Sequence, residues 1–136
     1  MTQQVVPVAP EKHRGDAIAT YATTNAHAIV TGSVIDTADG LATFIGYRVA
    51  AATAGADVKM QGSIDGSTYV DLTARDSAGA AHSGTEVTIA AAGSNHFFVA
   101  PGHDSGVLAA YRFYALSAKS DVADTPSTLT IDKFAK

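Results

Sequence analysis

The chain has no cysteine and no tryptophan, few charges, and no long apolar run. Without cysteine there is no disulfide framework, no thiolate metal site and no thiol catalysis. Without tryptophan it lacks the side chain most useful for stacking on sugars and for anchoring interfaces. Charged residues make up only 16% of the 136 positions and hydrophobic ones 46%, the reverse of the balance that keeps a chain disordered. Nine basic residues stand against thirteen acidic ones for a net charge of -4, with no lysine or arginine cluster. Such a chain is a poor partner for nucleic acid or an anionic membrane surface. No segment approaches the roughly 18 apolar residues of a membrane span, and Met1-Thr2-Gln3-Gln4 lacks the basic and apolar regions of a signal peptide. Synthesis in the cytoplasm is therefore expected.

What is present is an apolar period of two. In Asp57-Val58-Lys59-Met60-Gln61-Gly62-Ser63-Ile64 it puts Val58, Met60 and Ile64 on one face and Lys59, Gln61 and Ser63 on the other. Asp65-Gly66 supplies turn chemistry and Thr68-Tyr69-Val70-Asp71-Leu72 resumes the alternation, which predicts a hairpin. Further strands are expected near 26–34, 41–52, 85–91, 95–100, 110–119 and 126–134, separated by Gly, Pro, Asp and Ser clusters. The alanine runs 50–52 and 90–92 are too short to nucleate helices, and helix is expected only as one turn near Glu11 to Asp16. These features predict an all-β antiparallel sandwich or jelly roll of seven or more strands. Val58, Met60, Ile64, Val70, Leu72, Tyr114, Leu116, Leu129 and Ile131 are expected to point inward.

Two segments differ from this pattern. Residues 1–12 carry Val5, Val6 and Val8 around Pro7 and before Pro10, a composition suited to an extended arm in front of a single domain spanning 13–136. Val5, Val6, Pro7 and Val8 are accordingly the candidate interface residues. Arg75 to Gly84 is small, polar and glycine-bearing, and is expected as an exposed loop.

Candidate chemistry is sparse. His13, His27, His82, His96 and His103 are scattered without the i, i+2 or i, i+4 spacing that brings two imidazoles to one metal. Asp36-Thr37-Ala38-Asp39-Gly40 has closely spaced carboxylates before a glycine but lacks the remaining oxygen ligands of a calcium loop. No G-x-S-x-G elbow presents a serine. The rings of Phe97-Phe98 and Tyr111-Arg112-Phe113-Tyr114 suit a core more than a stacking platform. No catalytic residue, metal or cofactor is expected.

The Val58 to Leu72 segment, with its Ser63-Ile64-Asp65-Gly66 turn followed by Tyr69 and Leu72, resembles the "strand, Ser-x-Asp-Gly, aromatic, x-x-Leu" hairpin of small β-sandwich proteins from tailed-phage virions. Tyr111 to Ser120, followed by Thr125 to Ile131, is similar to their last two strands. This resemblance, spanning roughly Ala42 to Phe134, implies a non-enzymatic virion component: a capsid decoration (cement) or head-fibre protein. It would be a homo-oligomer, expected as a trimer, bound to the phage major capsid protein on the capsid exterior. Discoidin-like sugar-binding domains use a similar hairpin, so a carbohydrate-binding or tail-fibre module is the alternative. Their usual arginine late in the penultimate strand is replaced here by Ala115 or Leu116, and no binding residue carries over.

Overall fold

The computed structural model describes residues 12–38, 42–76, 85–104 and 106–136, with 12–19 described by backbone alone. Among them the chain forms eleven strands and no helix. In order these are β1 (Lys12–Ala22), β2 (Ala28–Ile29), β3 (Ile35–Asp36), β4 (Ile45–Ala51), β5 (Ala56–Ser63), β6 (Val70–Leu72), β7 (Arg75–Asp76), β8 (Glu86–Ile89), β9 (Ser94–Val99), β10 (Phe113–Ser120) and β11 (Thr128–Ala135). One sheet has the order β1-β11-β4-β9-β7. The other runs β2-β10-β5-β6, with β3 also paired to β10 and β8 to β5. Every pairing is antiparallel, so the expected sandwich architecture is present.

Alternation places the core between the sheets. Ile45, Tyr47 and Val49 of β4, with Phe97, Val99, Leu129 and Ile131 beside them, meet Val58, Met60, Leu72, Tyr114 and Leu116 from the other sheet. Seven of the nine predicted inward residues are buried; Ile64 and Val70 are not, being 61% and 43% exposed. The period of two is right for both, but Ile64 follows the last residue of β5 and Val70 is the first of β6, at the end of the sandwich, where no strand among the described residues covers them.

Three further expectations are corrected. Where a helical turn was expected around 11–16, Lys12 opens a strand, because main-chain pairing to β11 outweighs weak local helix preference. That pairing slips twice: the four-residue step from Lys12 to Asp16 faces the two-residue step from Ala135 to Lys133, and Ile18 to Tyr21 faces Ile131 to Leu129. These are β-bulges in an edge strand. Arg75 and Asp76, expected in a loop, form β7 opposite Phe98 and Phe97. The single strand expected over 26–34 is instead divided. Gly32 turns the chain with φ of 84°, and Ser33 fills the gap between β2 and β3, its hydroxyl accepting from the Leu116 N–H at 3.1 Å and donating to the Leu116 carbonyl at 3.3 Å. The candidate arm residues Val5, Val6, Pro7 and Val8 lie outside the described residues, as do Asp39, Gly40 and His82.

Candidate functional site

Two surfaces gather polar or exposed apolar side chains. The first is the outer face of the β10 sheet. Lys59 stands opposite Ser117 on one side and Glu86 on the other, Gln61 opposite Asp71, and Asp57 opposite Lys119 and Thr88. His27, immediately before β2, crosses this face: its Nδ1 lies 3.2 Å from Ser117 Oγ and its Nε2 2.6 Å from Glu86 Oε2. Lys59 and Gln61 both donate to Asp71, at 3.2 and 2.9 Å. The hydrogen bond from His27, then the His27, Lys119 and Lys59 charges, hold Glu86 below its ordinary carboxyl range. Asp71 is lowered first by Gln61, then by the hydrogen bond and charge of Lys59. His27 stands alone in the sequence; its partners lie 59 and 90 residues away, and no local pattern announces them. Although serine, imidazole and carboxylate meet here, Ser117 is 2% exposed in mid-strand, paired with Ile29 and Lys59. The arrangement acts as a latch that fastens the segment before β2 onto the sheet.

The second surface is the end of the sandwich where β5 meets β6. Asp65 Oδ1 accepts from Ser63 Oγ and from the N–H groups of Ser67 and Thr68 at 2.8–3.0 Å, and the Gly66 N–H donates to Ser63 Oγ. Those donors, Thr68 first, lower the Asp65 carboxyl. Gly66 has φ of 80°, which a side chain rarely tolerates. The Ser-x-Asp-Gly signature is thus a self-bonded turn, and it presents Ile64. Ile64, Val70, Leu108 and Tyr111 line a cleft of about 280 Å³. Across Tyr111 lies a second cavity of about 210 Å³, lined by Thr37, Thr43, Pro101, His103 and Tyr114 as well. Tyr111 and Tyr114 meet edge to face at 6.3 Å. The Tyr114 hydroxyl is buried and has no hydrogen-bond partner among the described residues, and burial, then Tyr111, pushes it up to about 12.

Other flagged residues have structural roles. Asp36 of the calcium-like segment receives a two-pronged contact from Arg112, Nε to Oδ1 at 2.9 Å and Nη2 to Oδ2 at 3.1 Å. Arg112 in turn lies 4.8 Å over the Phe113 ring. Phe97 and Tyr114 are core residues as expected, but Phe98 turns outward and meets Phe44, which also touches Phe134, both edge to face. Among the described residues, no group of three or more His, Asp or Glu side chains is placed to hold a metal ion.

The sequence matches no protein-family model and no curated protein at a significant level. Among solved structures the chain is similar to "SPBc2 prophage-derived protein YomS", with a TM-score of 0.53, covering 97% of this chain and 100% of that one. The fold is shared. At 8% identity the likeness is one of architecture, and both sheets fall within it.

Proposed function

We propose that the chain is a non-enzymatic structural component of a tailed-phage virion, a capsid decoration (cement) protein that binds the head lattice as a homo-oligomer. The observation that carries this reading is the end-to-end likeness of the sandwich to a prophage-derived protein. Exposed Ile64, Val70 and Leu108, gathered at one end, support it: an apolar cluster at a single pole suits a protein that docks end-on. The trimer and the capsid exterior follow from the resemblance of the hairpin and last two strands to decoration proteins. The direct test is to mix purified protein with empty capsids, sediment them, and weigh the bound fraction, while mass spectrometry looks for the chain in virions. Saturable binding and presence in virions are expected. A chain missing from virions and unable to sediment with capsids would sink the reading. The Tyr111 and Tyr114 cavity favours a carbohydrate-binding module as the second reading, which saturable glycan binding without capsid binding would support.

A further inference from the structure

We propose that the cleft beside Asp65 at the β5–β6 end receives a lysine or arginine side chain from the protein surface on which this chain docks, its aliphatic stem against Ile64, Val70 and Leu108 and its charge at the Asp65 carboxylate. This inference rests on the end-on docking of the preceding reading, and it names the chemistry that the docking partner presents.

Two glycines shape this end. Gly62 of β5 has no side chain to hold the Tyr111 ring away: a Cβ there would lie 2.9 Å from Tyr111 Cδ2, so the ring packs down on the strand and lines the cleft. At Gly66 a Cβ would lie 3.2 Å from the Phe113 ring, so the turn that carries Asp65 is backed by that ring as well as by its own hydrogen bonds. The donors that hold Asp65, from Ser63, Ser67 and Thr68, all fall on Oδ1. They fix the carboxylate in place and, Thr68 first, hold its carboxyl below the ordinary range. Among the described residues no cation pairs with Asp65, whereas Asp36, Asp71, Asp104 and Asp132 each have an arginine or lysine nitrogen within 3.3 Å.

Charge and shape together select the occupant. At about 280 Å³ the cleft is smaller than a site for a drug-sized molecule and suits one long side chain. Exposed Ile64, Val70 and Leu108 supply hydrocarbon walls, and Asp65 is the charged residue among the described ones that line it. A wholly apolar occupant would take water from the carboxylate and return nothing, and an acidic one would be repelled. Lysine and arginine meet both demands, because their methylene stems cover apolar surface while the charged head stays at the wet rim. The Tyr111 ring in the same lining is a further attractive surface for a cation. The chain's net charge of -4 works in the same direction, favouring approach to a basic surface.

Methyl NMR of the full-length protein reads the cleft through Ile64, Val70 and Leu108, with n-butylammonium as the probe. Saturable shifts at these residues are expected with an affinity on the order of 10 mM, the scale for so few atoms. Pentanoate should leave them unmoved, and n-butanol should bind several-fold more weakly. Asp65→Asn keeps an acceptor for the turn at Oδ1 and removes the charge; it should weaken n-butylammonium about fivefold with an unchanged circular dichroism spectrum. Leu108→Ala, at an exposed position, should weaken n-butylammonium and n-butanol together. The comparison of probes on the unsubstituted protein stands even where Asp65→Asn disturbs the turn. Equal binding of n-butanol and n-butylammonium, or an unaltered response in Asp65→Asn, would overturn the basic partner in favour of an apolar one. No shift at any of these methyls would overturn the cleft altogether. Capsid sedimentation separates this inference from the reading it rests on. Reduced capsid binding by Asp65→Asn is expected, and full binding by that variant would overturn the cleft as the docking contact. Selective n-butylammonium binding by a protein that no capsid captures would overturn the virion role alone.

Discussion

Tyr47 on β4 reaches across the core and donates its hydroxyl proton at 2.6 Å to the carbonyl oxygen of Ser33, the residue that bridges the gap between β2 and β3 on the opposite sheet. One residue therefore completes the β10 ladder with its side chain and ties the two sheets together with its main chain. Ser33→Ala should cost about 2 kcal/mol, because it leaves the Leu116 N–H buried without a partner. Tyr47→Phe should cost about 1 kcal/mol, leaving one carbonyl with less than its full complement. Urea unfolding checks both, with a lowered midpoint and an unchanged slope.

Gly46 is held open by its neighbours. A Cβ built there would lie 2.5 Å from the Phe134 ring and 3.0 Å from the Phe97 carbonyl oxygen. Gly46→Ala is expected to destabilise by about 1–3 kcal/mol. Removing the ring as well, in a Gly46→Ala, Phe134→Ala double variant, should cost less than the sum of the two single changes, as a thermal-melt cycle would show.

Legibility in the sequence followed locality. The β5–β6 hairpin could be read because Asp65 and Gly66 carry their own turn, with the carboxylate bonding residues two and three places on. The strands β10 and β11 could be read because Tyr114, Leu116, Leu129 and Ile131 alternate cleanly into the core. By contrast β1 contains Lys12-His13-Arg14-Gly15-Asp16, which carries no apolar alternation; it is a strand because β11 offers it a ladder, and that is tertiary information. The same holds for His27, whose partners are distant in sequence, and for the two clefts beside Tyr111, assembled mainly from three connecting segments that share only an end of the sandwich.

Acid should loosen the outer face of the β10 sheet. Glu86 and Asp71 are both held below their ordinary values of 4.5 and 3.8. Carboxyl groups depressed in the folded state contribute stability that is complete above those values and is lost as the pH falls below them. Both are well exposed, so screening keeps Glu86→Gln to about 0.5 kcal/mol at neutral pH. Its melting temperature should converge with that of the parent as the pH falls below about 4.

Alkali should act on the core. Burial raises the Tyr47 hydroxyl well above the ordinary phenol value of 10.0, and raises Tyr114 to about 12. Their stabilising effect is fully present below the unfolded value and lost as the pH rises through the folded one. Phenolate absorbance from two of the five tyrosines should therefore appear only together with loss of the folded circular dichroism signal.

The two slips in the β1–β11 ladder bear on how copies can join. An edge strand with an even row of free N–H and C=O groups is a template on which another molecule can add a strand, and the next another, without limit. Bulges twist and interrupt that row. An outer edge built like β1 discourages open-ended fibre growth and leaves finite, side-chain-directed association as the favoured outcome.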